Sequence, residues 1–173
     1  MNDGLERAEE RRNFLEAIAA KIPGFKSYVD RELRREVDKM QRDWLADQLD
    51  RGREALGAKV RDWSRSGNLA NLDLASSIDK NLDKLANRIR HADYGYTGFF
   101  DAVKIREPEL DRIYAFDLAL INSVDNLRQR IEGLPGTAAE PDLRSLQEAV
   151  AAAERGFDDR ATIFEDVTQK GDS

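Results

Sequence analysis

Residues 110–131 read LDRIYAFDLALINSVDNLRQRI. Leu110, Ile113, Asp117, Leu120, Val124, Leu127 and Ile131 recur at steps of 3, 4, 3, 4, 3 and 4. That spacing lines side chains along one stripe of an α-helix and would scatter them over both faces of a strand. The stretch therefore predicts a helix of roughly six turns at 3.6 residues per turn. One member of the stripe is an acid. Its helical neighbours, Ile113, Tyr114, Leu120 and Ile121, are all apolar or aromatic, so the Asp117 carboxylate is expected to be buried.

A second helical stretch carries the opposite charge in the same setting. Arg160 continues the register of Val150, Ala153, Phe157 and Phe164, flanked by Gly156 and Ile163. An unpaired buried charge costs several kcal/mol, so Asp117 and Arg160 are expected to pair across two packed helices. Two roles remain open for such a pair. One is structural, fixing helix register or chain association. The other is a carboxylate tuned for proton transfer. No second acid and no histidine shares the stripe, which favours the structural role.

The same periodicity extends over most of the chain. Ala8, Leu15, Ile18 and Ile22 trace a first helix from a cap at Asp3 to the break at Pro23-Gly24. Residues 25–65 then read as one spine helix of about 40 residues, with Val29, Leu33, Val37, Met40 and Trp44 followed by Leu49, Gly52, Leu56, Val60 and Trp63. At 1.5 Å per residue it would be about 60 Å long, more than the width of a compact domain of this size. Its stripe residues Val37, Met40, Trp44, Leu56, Val60 and Trp63 are therefore the candidate interface for another chain.

Ser66-Gly67-Asn68 is a stop, after which Leu74, Ile78, Leu82, Leu85 and Ile89 mark a helix expected to run from a cap at Asp73 to Gly95. A short helix is expected from Gly98 to about Ile105, and Pro108 sits in the first turn of the helix quoted above. Pro135-Gly136 makes the next turn, and Thr137 and Glu140 have capping-box spacing ahead of a last helix to about 168. Charged residues make up 36% and apolar residues 40%, with only four prolines, the balance of helices and not of sheets. The expectation is an all-α protein: an elongated up-and-down bundle of five to six helices, one domain over 1–168, with a frayed tail at 169–173.

Concentrated chemistry occurs in one place. His91 to Ile105, HADYGYTGFFDAVKI, holds the sole histidine. His91, Tyr94, Tyr96, Phe99, Phe100 and Asp101 could line a small-molecule or catalytic pocket near Asp117. The competing reading is an aromatic lid, with Phe99 and Phe100 plugging the end of the bundle and His91 on the polar flank of Asn81, Lys84 and Arg88. A four-helix carboxylate metal site would need Glu-x-x-His on two helices, and Arg88 precedes His91 by three, so no metal or cofactor is expected. Absence of cysteine removes disulfides, thiolate nucleophiles and cysteine-held metals. No phosphate-loop or dinucleotide fingerprint occurs.

The net charge of −6 argues against nucleic acid and anionic membrane as partners. A weaker alternative is adhesion to an anionic polymer or membrane through Lys26, Arg31, Arg34, Arg35, Lys39 and Arg42, although four acids share that stretch. No leader pattern opens the chain and no run approaches the ~18 apolar residues of a membrane span, so a cytoplasmic location is the simplest expectation. The function expected is non-enzymatic: an interaction or assembly protein that associates with itself or another protein along the spine helix.

Overall fold

A computed structural model describes residues 3–30, 34–92, 107–137 and 139–171 of the chain. These residues form six helices and no strand: α1 Asp3–Lys21, α2 Phe25–Asp30, α3 Arg34–Arg65, α4 Leu72–Arg90, α5 Glu107–Glu132 and α6 Glu140–Gly171. The protein is an all-α helical bundle. Two of its helices are long, α3 and α6, of 32 residues each. The spine expected over 25–65 corresponds to the six-residue α2 followed by α3. The short helix expected at 98–105 lies outside the described residues.

Helix ends follow local chemistry, not always the residues expected. α1 stops at Pro23-Gly24, where Gly24 has φ +80°, and Phe25 N–H donates to the Ile22 carbonyl at 3.2 Å. α3 closes on a left-handed glycine, since Asn68 N–H reaches the Trp63 carbonyl at 2.9 Å and Gly67 N–H the Ser64 carbonyl at 3.2 Å, with Gly67 at φ +75°. This is the Schellman arrangement, and it requires a residue with no Cβ penalty at that point.

α4 departs from expectation at both ends. Asn71, at φ 67°, occupies its N-cap without a side-chain hydrogen bond, and Asp73 lies inside the first turn, where a negative charge meets the helix dipole. At the other end His91 N–H donates to the Asn87 carbonyl at 3.0 Å and closes the helix ahead of Gly95. The capping box at Thr137 does not form either. The Ala139 carbonyl accepts the Asp142 and Leu143 N–H groups, and Glu140 takes the Arg144 guanidinium. α6 continues to Gly171, past the boundary at 168, because Gln169 and Lys170 favour helix and no breaker precedes Gly171.

Backbone contacts divide the chain into two compact units, Met1–Trp44 with Asp93–Ile121 and Phe157–Ser173, and Leu45–Ala92 with Asn122–Gly156. The expectation of one domain over 1–168 rested on the absence of a linker. The division passes through α3, α5 and α6, where no linker composition marks it.

In the second unit, Leu49, Leu56 and Trp63 of α3, Ile78, Leu82, Leu85 and Ile89 of α4, Val124 and Ile131 of α5, and Leu143, Leu146 and Val150 of α6 are all buried. Each such aliphatic side chain contributes ~1.5–3 kcal/mol relative to exposure. α3 and α5 approach closely at Gly52, where a Cβ would lie 3.2 Å from Ile131 Cδ1.

In the first unit, Ile18, Ile22, Phe25, Val37, Ile113 and Ile121 are buried. An Arg11–Asp111 ion pair links α1 to α5. Here the α3 stripe is rotated from the one expected. Asp38 and Gln41 face inward, while Met40 and Trp44 are only half-buried. Of the six candidate interface residues, three are buried and three half-buried. Val37, Leu56 and Trp63 are 8%, 1% and 1% exposed and serve the chain's own core, and Val60 is half-buried.

Candidate functional site

The polar centre of the first unit is built from one residue on each of three helices. Asp38 of α3, Asp117 of α5 and Arg160 of α6 are 1%, 4% and 5% exposed. Arg160 Nε donates to Asp117 Oδ1 at 2.7 Å, and its Nη2 donates to Asp38 Oδ1 at 3.1 Å. The other Asp38 oxygen accepts from Arg42 Nε at 2.8 Å. Among the described residues the result is a chain of alternating charge, Arg42–Asp38–Arg160–Asp117.

This order is what burial demands. One guanidinium facing one carboxylate would leave Arg160 donors without acceptors in a low-dielectric interior, and Asp38 supplies the missing oxygen. The planar fork of arginine can serve two acids from different directions, which an ammonium does less well. Both carboxylates are turned to arginines and are nearly shut from solvent. The arrangement holds α3, α5 and α6 in one register within this unit.

The sequence brought Asp117 and Arg160 forward and missed Asp38. The signal was present, since Asp38, Gln41, Leu45, Gln48 and Gly52 step 3, 4, 3, 4. Counting apolar residues alone passes over a seam in which three of five members are polar. Gln41 and Gln48 are 2% and 6% exposed, and Gln41 Nε2 has no hydrogen-bond partner among the described residues.

The pocket expected around the aromatic segment is described only at its edge. His91 is exposed at the C-terminus of α4. Tyr94, Tyr96, Phe99, Phe100 and Asp101 lie outside the described residues.

On the outer side of the same unit, α5 and α6 form an open groove of about 590 Å³. Ala115, Phe116 and Ile163 make its apolar floor; Arg112 stands on the α5 wall, and Asp159 and Asp166 on the α6 wall. Phe116 neighbours Asp117 in sequence, and Ile163 lies one helical turn beyond Arg160. The buried chain thus fixes the two helices whose outer faces shape the groove.

The chain matches no protein-family model, no curated protein and no solved structure. Function must therefore be argued from these two features. Among the described residues no group of three or more His, Asp or Glu is placed to hold a metal ion, and no helix is long and apolar enough to cross a membrane.

The second unit carries its own polar groove, of about 550 Å³, between α3 and α4. Arg53 of its lining, and Arg90 of α4 outside it, are engaged across the helix pair. Arg53 meets Asp79 at 3.1 Å and Asp83 at 2.5 Å, and Arg90 meets Asp50 at 2.6 Å and Asp47 at 3.4 Å. Hydrogen bonding to Asp79 and to Asp50 raises the two guanidinium pKa values above the ordinary arginine value. Both arginines join α3 to α4, and the groove's other cation, the exposed Arg61, stands beside Asp50, Glu54 and Asp79.

Proposed function

We propose that this is a non-enzymatic interaction or assembly protein, and that it docks another chain through the α5–α6 groove of the first unit. The observation that carries the reading is the groove itself: an apolar floor with half-buried Phe116, flanked by unlike charges on its two walls. Grooves of this form take the side chains of an opposing helix at i, i+3 and i+4 spacing, while the flanking charges select orientation. The buried acid–arginine chain supports the same reading, since its work is to keep the groove's two walls in register. On α3, Val37, Leu56 and Trp63 are buried in the chain's own core, which favours α5 and α6 as the docking surface.

Phe116→Glu tests the reading, because it places a charge on the groove floor without touching the buried chain. Proteins bound to wild type and variant in native extract are compared quantitatively, second copies of the chain included. Loss of bound protein from the variant, at unchanged helicity by circular dichroism, is the expected result. Identical bound sets would overturn the assignment of function to this groove.

A further inference from the structure

Resting on that reading, we propose that the occupant of the α5–α6 groove is a second copy of this chain, docked across a two-fold axis parallel to the two helices. The argument is one of charge and register. A connection over 133–139 makes α5 and α6 antiparallel neighbours, and Arg160 meets Asp117 between them. From that contact Arg112 lies about 7.5 Å along α5 and Asp166 about 9 Å along α6 in the same direction, at 1.5 Å per residue. They stand at one end of the groove, with Ala119 and Asp159 at the other. Arg112, Asp159 and Asp166 are exposed, and none of them has an ion-pair partner among the described residues.

This pattern complements itself in only one of two orientations. Rotation about an axis parallel to the helices lays α5 of each copy over α6 of the other at the same level. Arg112 then meets Asp166 of the second copy, twice, and Phe116 meets the floor around Ile163. Rotation about an axis perpendicular to the helices, at the level of the groove's middle, lays α6 on α6, so Asp159 opposes Asp166 of the second copy, twice. Charge juxtaposition of this kind sets register and suppresses the wrong arrangement. Closed two-fold pairs are also the commonest form of self-association. The groove lining is small beside the roughly 20–30 residues a side of a stable interface, so the pair is a weak one, forming in the micromolar range or above.

Sedimentation velocity from about 1 µM to about 1 mM, the range of weak association, reads the mass directly. The weight-average mass is expected to rise from 19.6 kDa towards twice that value. Arg112→Asp is expected to weaken association at least tenfold, and the double swap Arg112→Asp with Asp166→Arg to restore it. Because the chain contains no cysteine, single introduced thiols report orientation cleanly. Ala115→Cys and Thr162→Cys protomers are mixed and treated with a short bis-maleimide; 115–162 cross-links are expected to exceed 115–115 and 162–162 links. A monomer at every concentration, a dimer indifferent to Arg112→Asp, or a predominance of like-with-like cross-links overturns the proposal. If the chain stays monomeric while Phe116→Glu still strips other bound proteins, the occupant is a different protein and the interaction reading survives. If Phe116→Glu changes nothing at all, both fall.

Discussion

Arg160 is the residue on which the first unit turns. It stands between Asp38 and Asp117, and none of the three is more than 5% exposed. Arg160→Met removes the cation that Asp38 and Asp117 share and leaves Asp38 with Arg42, so a loss of about 3–5 kcal/mol is expected in urea unfolding. Replacing all three together, Asp38→Leu, Asp117→Leu and Arg160→Met, is expected to recover part of that loss, because the charges of the buried centre are removed together and Arg42, which loses its Asp38 carboxylate, is 12% exposed and keeps access to solvent. If the triple variant unfolds as readily as Arg160→Met, the network contributes more than pairing. Gln41 gives the converse case. Its Nε2 is buried without a partner among the described residues, so Gln41→Leu is expected to raise stability by about 1 kcal/mol in the same measurement.

At the level of elements, the last turn of α3 depends on Gly67 at φ +75°, whose N–H, with that of Asn68, closes the helix. Gly67→Ala is expected to cost about 1 kcal/mol, read as a lower thermal midpoint, since any Cβ is strained there even though nothing lies within reach of it. The α3–α4 pair is held differently, by the Arg53 and Arg90 bridges. Their raised pKa values mean that the stabilisation is complete below the ordinary arginine value and is lost only as pH climbs through the still higher folded value. Titration of these arginines therefore makes no contribution to stability change between about pH 6 and about 9. Salt is the variable that reaches them. Arg53→Ala is expected to cost about 0.5–1 kcal/mol at low ionic strength and less as salt is added, because the carboxylates it meets are half-exposed. A cost that does not change with salt would mean that the arginine stem, and not its charge, carries the effect.

For the whole molecule, the net charge of −6 is the property with the longest reach. It predicts no retardation of duplex DNA and no retention on anionic vesicles at about 0.15 M ionic strength, where fields are screened beyond about 8 Å. Salt-sensitive binding to either would revive the basic stretch of Lys26 to Arg42 as a contact surface. The same negative field opposes association of two copies, so a pair can form only where local charges are arranged against the overall repulsion, as Arg112 and Asp166 are in the proposed orientation.

How much of this was legible follows from what periodicity measures. The 3–4 steps of α5 and α6 determined that the protein is helical, where those helices lie, and that Asp117 and Arg160 sit inward, because helical geometry ties position in sequence to face. Glycine and proline likewise marked the stops at Gly24 and Gly67, whose conformations are set by local sterics. The capping signals at Asp73 and Thr137 failed because several nearby backbone arrangements satisfy the same N–H groups, and packing chooses among them. Which face of α3 turns inward also depends on packing. A stripe of Val37, Met40 and Trp44 competes with a seam of Asp38, Gln41 and Leu45, and the second prevails where Arg160 is available to meet Asp38. That choice, the two-unit division and the groove between α5 and α6 were decided only by the tertiary structure, because each depends on residues that are distant in sequence being brought together.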